Sequence, residues 1–411
     1  MKHTPTEAEI GRGMIDFAKS FMPALAAATE VVREGGRLEG KRVGVALTLE
    51  PKTACLIEAI ASLGASVAVL GSSNSTKAPV VAALTEAGIS VFAEPGATPE
   101  RARTLVDAFI DTRPQLLADD GASVARRIHG ERNDVLADLE GVAEETTSGV
   151  RPLRNMEAGG ELRVPCVAVN DARTKLAFDN IYGTSQSVVM ALLDATNMQM
   201  QGKVTVVVGY GKVGRGIAAA ARALGSRVTV TEIDPVEALV AHHDGFAVAP
   251  LLDALGDADF VITASGIGHS LVADHVAAMK DGAVIAVGGA GPPEFDPDTT
   301  LTGEPSALQW GETVRANIVE LLVPDGPTVF VVSNGYCANT SAGEGNPIEV
   351  MDLSLALQLR ALDYLAATDL APGVHLLPKQ IDDEVAASQL RAAGLEIDTP
   401  TAAQVDAATR W

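Results

Sequence analysis

Short apolar runs alternate with longer Ala-rich stretches along most of the chain. Alternation on this scale is typical of βαβ units, in which helices join buried parallel strands. A first series of strands is predicted at 42–49, 66–70, 90–93, 115–117 and 164–169. A second series is predicted at 204–208, 227–231, 260–263, 283–287 and 328–332. The pattern predicts an α/β protein with two doubly wound, Rossmann-like domains.

A helical, Met-rich stretch over 178–201 separates the two series and is suited to a hinge between domains. We expect one domain over 1–180, completed by about 344–375, and a second domain over 181–343. Residues 376–411 are polar and Ala-rich, which predicts a short C-terminal helical segment.

The chain carries 31 basic and 53 acidic residues, so its formal net charge is −22. A protein this acidic is not expected to bind nucleic acid or anionic membranes, because both need a basic face. Its three cysteines are too few and too scattered for a disulfide framework or a zinc site, so we expect no metal. The first residues lack the apolar core of a signal peptide, and no apolar run is long enough to cross a bilayer. We therefore expect a cytoplasmic globular protein.

The run VTVVVGYGKVGRG carries a G-x-G-x-x-G pattern between the strand at 204–208 and a predicted helix at 213–224. Its cofactor-binding candidates are Gly209, Gly211, Lys212, Val213 and Gly214. In this pattern the glycines allow a tight turn, close approach to a diphosphate and close packing of helix on strand. Glu232 ends the next strand, where a carboxylate accepts hydrogen bonds from a ribose diol and repels a 2′-phosphate. An ordinary glycine-rich turn is the alternative, but strand, helix and acid in register favour binding of NAD.

Five further segments carry recognisable motifs: ADDGAS (118–123), EETTSGV (144–150), VNDARTKLAFDNIYGT (169–184), TEIDP (231–235) and ANTSAGEGNP (338–347). Together with the glycine loop they resemble the S-adenosyl-L-homocysteine hydrolase family, in the same order and over most of the chain. The resemblance implies a substrate domain over 1–180, an NAD domain over 181–343, a purine nucleoside substrate and a homo-oligomer, either tetramer or dimer. In the implied chemistry, NAD oxidises the ribose C3′ hydroxyl, the C4′ hydrogen becomes acidic, the C5′ substituent leaves, and the sugar is reduced again.

The resemblance also implies roles for individual residues. Lys175 and Asp179 would hold the 3′-hydroxyl, with Lys175 as the base if burial lowers its pKa. Glu145 would bind the ribose hydroxyls, and Asp120 would act as an acid or base near C4′ and C5′. The residues expected on the nicotinamide side are Thr146, Thr147, Ser148, Asn180 and Asn339. Without the resemblance, Lys175 and Asp179 have only the i, i+4 spacing of a surface salt bridge, and EETT could be a simple turn.

The sequence departs from the family at the end of the pocket that holds the leaving group. Thr48, Ala290 and Asn346 stand where the family has histidines. Glu50 and Lys52 replace a threonine and the glutamate that recognises adenine, whereas Thr53 is retained. We expect Thr48, Lys52, Thr53 and Asn346 to contact substrate, and Glu50 to act as the acid that protonates a departing hydroxyl.

The histidines present elsewhere in the chain do not fill these positions. His242 and His243 are adjacent, which favours a solvated helix face over a metal site. His269 follows a predicted strand and is a candidate neighbour of the nicotinamide.

Three functions follow from this combination of kept and lost residues. The favoured one is a nucleoside dehydratase that expels water from a hydroxymethyl carbon, by analogy with the pathway to the nucleoside antibiotic angustmycin. The first alternative is an authentic S-adenosyl-L-homocysteine hydrolase with substituted acid–base groups. The second alternative is a non-catalytic, NAD-binding regulatory homologue.

Overall fold

The structure is a computed structural model that describes residues 4–289 and 293–410. Its first sheet contains β1 (Arg42–Ala46), β2 (Ser66–Leu70), β3 (Ser90–Phe92), β4 (Leu116–Asp119), β5 (Gly141–Glu144), β6 (Pro165–Ala168) and β17 (Gly373–Leu376). All pairings in this sheet are parallel, and the spatial order is β17-β6-β5-β4-β1-β2-β3. Strand β17 returns from the far end of the chain, after the whole second sheet, and pairs with β6.

The second sheet contains β7 (Val204–Val208), β8 (Arg227–Thr231), β9 (Ala247–Val248), β10 (Phe260–Thr263), β12 (Val284–Val287), β14 (Gln309–Arg315), β15 (Ile318–Leu322) and β16 (Thr328–Val332). Its order is β14-β15-β16-β12-β10-β7-β8-β9, with β15 antiparallel to both neighbours and the other pairs parallel. Strands β11 (Leu271–Val272) and β13 (Phe295–Asp296) form a separate pair.

The helices cover the faces of the two sheets, except for the last helix in the chain, which has no buried residue. They are α1 (Glu7–Lys19), α2 (Pro23–Gly35), α3 (Pro51–Ser62), α4 (Ala78–Glu86), α5 (Pro99–Ile110), α6 (Ser123–Gly130), α7 (Thr147–Ala158), α8 (Arg173–Phe178), α9 (Thr184–Thr196), α10 (Lys212–Ala223), α11 (Pro235–His243), α12 (Leu251–Leu255), α13 (Ala273–Ala277), α14 (Ala338–Ser341), α15 (Ile348–Ala367), α16 (Lys379–Ala392) and α17 (Ala402–Thr409). Shorter turns are 3₁₀ at Asn133–Val135, Val169–Asp171 and Ser333–Gly335, and π-helical at Asp179–Gly183.

Each sheet has an apolar core on both faces, as expected of parallel sheets covered by helices. Val43 and Val45 of β1 belong to the core on one face of the first sheet, whereas Leu117 of β4 belongs to the core on the other. Helix α15 is buried along most of its length against the first sheet, where Gln358 donates to the carbonyl oxygen of Ala143 at 2.7 Å. This helix brings the chain back from the second sheet to the first.

The two doubly wound sheets confirm the predicted fold class, and α16 and α17 confirm the helical C-terminal segment. The strands predicted at 90–93, 115–117, 164–169 and 283–287 differ from the observed strands by one or two residues at an end, and three predicted elements differ by three residues or more. The strand predicted at 42–49 ends at Ala46, because the chain leaves the sheet to begin α3 with Glu50 as its N-cap. The helix predicted over 178–201 is a π-helical turn followed by α9, which ends at Thr196. The segment from 376 becomes helical only at Lys379, since Leu376 still belongs to β17.

The strand orders place a crevice at the carboxyl end of each sheet. In both sheets the winding reverses beside the first strand, between β1 and β4 and between β7 and β10. Ligands of doubly wound folds bind at such switch points. Within the described part of the chain, no helix is both long enough and apolar enough to span a membrane.

Candidate active site

A cavity of about 460 Å³ lies where the two crevices face each other. Most of the predicted site residues line it: Thr48, Glu50, Thr53, Asp120, Glu145, Thr146, Thr147, Ser148, Lys175, Asp179, Asn180, Gly211, Lys212, Val213, Asn339 and Asn346. Lys52, Gly209, Gly214 and Glu232 lie outside its wall. The cavity therefore joins residues from six separate segments of the sequence.

Two acidic residues reach the cavity from neighbouring strand ends. Asp119 of β4 is in register with Glu144 of β5, so the residues that follow, Asp120 and Glu145, leave the sheet side by side. Both side chains line the cavity. The sheet register is thus what pairs these two acids.

Lys175 is the centre of a buried polar cluster. Its side chain is 3% exposed, and its Nζ lies 3.3 Å from Glu145 Oε1 and 3.6 Å from Asp179 Oδ1. The same Nζ donates to Asn180 Oδ1 at 2.8 Å. The i, i+4 pair of Lys175 and Asp179 is therefore a buried ion pair and not a surface salt bridge.

Asp179 is held by donors from the opposite wall. Its Oδ1 accepts from Asn346 Nδ2 at 2.7 Å, and its Oδ2 accepts from Ser354 Oγ at 2.7 Å. Asn346 is fixed in turn, because its Oδ1 accepts from Asn339 Nδ2 at 3.1 Å and from Ser187 Oγ at 3.0 Å. Asn346 thus orients Asp179 through a neutral amide.

Burial and crowding of charges shift the pKa values in this cluster. Burial alone would lower the pKa of Lys175, but the carboxylates of Asp179 and Glu145 outweigh it and leave that pKa above its ordinary value. Burial raises the pKa of Glu145 to about 8 and raises the pKa of Asp120, in both cases against the attraction of Lys175. The role of Lys175 as a base requires a lowered pKa, and that condition is not met, because the carboxylates of Asp179, Glu145 and Asp120 favour its ammonium form. The neighbouring acids, whose pKa values are raised, are the candidates for proton exchange.

The glycine loop fits a dinucleotide diphosphate. Gly209 has φ +96, the left-handed conformation that the turn requires. A Cβ on Gly214 would lie 2.0 Å from the carbonyl oxygen of Gly209, so a glycine is needed where α10 packs on β7. A Cβ on Gly211 would meet nothing within 4 Å, so this backbone faces open space at the start of α10, where a diphosphate can approach. Glu232 accepts from the Tyr210 N–H at 2.6 Å, which fixes its carboxylate beside the loop for a ribose diol.

Glu50 and Lys52 form a second buried ion pair, with 2.9 Å between Lys52 Nζ and Glu50 Oε2. Lys52 also donates to the carbonyl oxygen of Glu344 at 2.8 Å, which explains why it does not line the cavity. Thr53 donates to Glu50 Oε1 at 3.5 Å. Thr48, two residues before Glu50 in the chain, also lines the cavity. Lys52 is therefore placed to hold Glu50 and the loop that carries Asn346.

None of the histidines within residues 4–289 and 293–410 lines the cavity. His269 does not line it, and its Nδ1 lies 2.7 Å from Asp296 Oδ2 on an exposed loop. His242 and His243 are exposed, and Ala290 lies outside the described residues. Across residues 4–289 and 293–410, no group of three or more histidine, cysteine or acidic side chains could hold a metal ion.

Some residues of the cavity wall were not anticipated. They are Asn170, Thr184, Arg151, Glu294 and Cys337. Asn170 and Thr184 lie within the segment 169–184, so that motif contained them. Glu294 and Arg151 carry no local signal, since they reach the cavity only through the packing of the two sheets.

Comparisons with known proteins match this architecture. The model of the S-adenosyl-L-homocysteine hydrolase family matches residues 3–137, and the model of its NAD-binding domain matches residues 180–345. S-inosyl-L-homocysteine hydrolase from Methanopyrus kandleri is 40% identical over 410 residues, covering 99% of this chain and 96% of the relative. Adenosylhomocysteinase from Thermotoga maritima is 42% identical over 397 residues, covering 96% and 97%. The chain therefore belongs to the S-adenosyl-L-homocysteine hydrolase family, as an adenosylhomocysteinase-like enzyme that binds NAD.

Proposed function

We propose that this enzyme cleaves an S-nucleosyl-L-homocysteine, with water, to a purine nucleoside and homocysteine. The sugar is oxidised transiently, the C5′ substituent is eliminated, water adds to the same carbon, and the sugar is reduced again. The observation that carries the proposal is the buried cluster of Glu145, Lys175, Asp179 and Asn346, which shares one cavity with Gly211. Relatives named as hydrolases of such thioethers support it.

The NAD held along the glycine loop supplies reversible oxidation of a sugar hydroxyl, which acidifies the hydrogen on the neighbouring carbon. Lys175, as an ammonium ion, donates to the oxygen of that hydroxyl and stabilises negative charge that develops on it. Asp179 orients the ammonium, and Asn346 and Ser354 orient Asp179. These contacts fix the direction of the Lys175 ammonium group, so the donor to the reacting hydroxyl is already in position when the substrate binds.

Asp120 and Glu145 handle protons at the adjacent carbons. Burial raises both pKa values, that of Glu145 to about 8, which favours these carboxyls as groups that exchange protons with the substrate. Asp120 lines both cavities, as Thr48 does, and it removes the sugar hydrogen or protonates the leaving group. Glu145 contacts Lys175 and accepts from or donates to the ribose hydroxyls.

A second cavity favours a substrate with a long substituent. This outer cavity has a volume of about 1090 Å³ and shares Thr48, Asp120 and Ser148 with the inner one. Neither Gly211 nor Lys175 lines it, whereas Gly289, Glu294 and Cys337 line both cavities. Arg126 and Arg151 also line the outer cavity and suit a carboxylate, such as that of an amino acid.

Elimination of water from a hydroxymethyl nucleoside is the second candidate. Thr48 and Asn346 stand where the family has histidines, and Glu50 is paired with Lys52 at the same end of the cavity. A changed set of acid–base groups at the leaving-group end suits a changed leaving group. The product would then be an alkene, formed by loss of one water without homocysteine.

The experiment is product analysis with the NAD-loaded protein. S-adenosyl-L-homocysteine, S-inosyl-L-homocysteine and a panel of hydroxymethyl-bearing purine nucleosides are incubated separately, and the products are followed by mass spectrometry. We expect release of homocysteine from one of the two thioethers. The thioether that is cleaved faster identifies the nucleobase that the enzyme prefers. Loss of one water from a nucleoside, with intact thioethers, would replace the proposal by the dehydratase. If no substrate of either kind changes, the proposal is wrong and a regulatory role gains support.

A further inference from the structure

Two fully buried carboxylates lie directly behind the two acids of the cavity. Asp119 and Glu144 are the last residues of β4 and β5, and each is 0% exposed. Each immediately precedes one of the acids, Asp120 and Glu145, but neither lines the cavity. They therefore cannot contact substrate, and their hydrogen-bond partners indicate their role.

Glu144 joins the loop after β4 to the loop after β5. Its Oε1 accepts from the N–H groups of Gly121 at 2.9 Å and Thr146 at 3.0 Å, and its Oε2 accepts from the Ala122 N–H at 2.9 Å. A Cβ on Gly149 would lie 2.2 Å from Glu144 Cδ, so α7 packs directly on the carboxylate. The carboxylate has no room to turn, and the two loops are fixed relative to each other.

Asp119 ties the loop after β4 to the start of α6. Its Oδ1 accepts from the Asp120 N–H at 3.0 Å, and its Oδ2 accepts from the N–H groups of Val124 at 3.1 Å and Ala125 at 2.8 Å. The Asp119 carbonyl oxygen accepts from the Glu145 N–H at 3.0 Å. The backbone on either side of the Asp120 side chain is thereby fixed.

Placing two carboxylates side by side in a dry interior is costly. Burial raises the pKa of Asp119 to about 6 and raises the pKa of Glu144, although both accept several N–H groups. A helix start can be capped at the surface by a threonine, as Thr98 caps α5. The buried acids do more than cap a helix, since Glu144 connects two loops that each carry a cavity acid.

We propose that Glu144 and Asp119 are positioning residues that set the spacing and direction of Asp120 and Glu145. Only the identity of the affected reaction step rests on the proposed function. Asp119 contacts the loop of Asp120, so it governs the proton transfer at that residue. Glu144 contacts both loops, so it governs proton transfer and binding of the ribose hydroxyls.

The test compares Asp119→Asn and Glu144→Gln with Asp352→Asn. Asp352 is a matched control, because it is also 0% exposed and accepts from the N–H groups of Ala24 and Leu25 at 2.8 and 2.7 Å. An amide has one acceptor oxygen and turns its NH₂ group toward the N–H donors, so each variant breaks part of its network. Because misplacement of a catalytic group by about 1 Å can cost about 100-fold, we expect kcat per folded site to fall at least about 10-fold in the first two variants. The control loses thermal stability but keeps kcat.

The two positioning variants also differ from each other. Asp119→Asn lowers kcat with little change in KM, whereas Glu144→Gln changes both. A merely structural role would lower the folded fraction and leave both constants of the folded enzyme unchanged, and that result would overturn the proposal. If Glu144→Gln does not fold, the kcat and KM of Asp119→Asn decide.

Binding of a purine nucleoside to the NAD-loaded protein separates this proposal from the proposed function. Calorimetry is expected to show weaker nucleoside binding in Glu144→Gln than in Asp352→Asn, with equal NAD affinity. This result stands even if none of the tested substrates is turned over. Equal nucleoside affinity in the two variants would contradict the proposal.

Discussion

At the scale of single residues, the site is governed by one cation among several acids. Lys175 is buried, contacts Glu145 and Asp179, and has its pKa held up by the carboxylates around it. In the proposed mechanism the charged lysine is therefore a fixed donor to the reacting hydroxyl, and the acids carry the proton transfers. Without Lys175, the acids would repel one another in a dry cavity.

Replacing Lys175 by methionine tests this role. We expect Lys175→Met to lower kcat by about 10²–10⁴-fold, which is the usual contribution of a positioned acid–base or charged group. NAD affinity is expected to change little, because Lys175 does not lie in the glycine loop. Lys379→Met is the control, since Lys379 is an exposed residue that pairs with Asp383 on α16. Unchanged kcat in Lys175→Met would refute the assignment.

The titration of Glu145 gives a second prediction. The pKa of Glu145 is raised from 4.5 to about 8, first by burial, so the folded protein keeps a proton that the unfolded chain would release. The associated stability is present in full below pH 4.5 and is lost as the pH rises through about 8. We expect the midpoint of thermal unfolding to fall between pH 5 and 9 more steeply in the parent than in Glu145→Gln. Glu131→Gln, at an exposed position, is expected to follow the parent, and parallel curves for all three proteins would contradict the shift.

At the scale of elements, two glycines of the glycine loop serve different purposes within one motif. Gly211 faces open space, whereas Gly214 packs against the carbonyl oxygen of Gly209. The first is needed for a ligand and the second for the contact of α10 with β7. The motif alone does not distinguish these two uses in this chain, but the geometry does.

Alanine at each position distinguishes the two glycines. Gly211 has φ −63 and ψ −167, which alanine adopts readily, so Gly211→Ala is expected to keep the thermal stability of the NAD-free protein and to weaken NAD binding. Gly214→Ala is expected to lower the stability of the NAD-free protein by about 1–3 kcal/mol, as overpacking does. Differential scanning calorimetry without NAD and titration with NAD measure the two effects. Equal destabilisation of the NAD-free protein by both changes would be incompatible with this geometry.

Local patterns predicted those features that depend on neighbours in sequence. The strands at 66–70, 204–208, 227–231, 260–263 and 328–332 have the predicted bounds, because each is a run of apolar or β-branched residues, preceded in two cases by a single polar residue, Ser66 or Arg227. The sequence could not predict that the side chain of Lys52 points away from the cavity, since the carbonyl oxygen that it contacts belongs to Glu344, 292 residues away in sequence. Ser354, which holds Asp179, is 175 residues from it. Such contacts depend on α15 returning to the first sheet, and no local pattern indicates where a returning helix will pack.

At the scale of the whole molecule, two connected cavities lie between the two sheets. The inner one joins the glycine loop to the polar cluster, and the outer one shares Asp120 with it. Arg151 also links the two halves, because its Nη1 donates to the carbonyl oxygen of Gly266 at 3.1 Å. The arrangement allows a nucleoside to lie inside while a substituent extends outward.

The outer cavity predicts that replacing its arginines affects a substrate with a long substituent more than a nucleoside without one. In Arg126→Gln and Arg151→Gln, we expect KM for an S-nucleosyl-L-homocysteine to rise by about 10-fold, the effect of losing one charge-assisted hydrogen bond of about 1.5 kcal/mol. Binding of the nucleoside alone is expected to be unchanged in Arg126→Gln, because Arg126 lines the outer cavity and not the inner one. Arg103→Gln is the control, since Arg103 is exposed and pairs with Glu131 on the surface. Equal effects on the nucleoside and the thioether would show that the arginines do not contact the amino-acid part.

The fate of the hydrogen on C4′ tests the central claim most directly, because only a route with transient oxidation of the neighbouring hydroxyl makes that hydrogen acidic. A thioether substrate with deuterium at C4′ is incubated in ordinary water with the NAD-loaded enzyme, and the nucleoside product is analysed by mass spectrometry. We predict that the product has lost the deuterium to solvent. A product formed at catalytic rate that retains all of its deuterium would contradict the account.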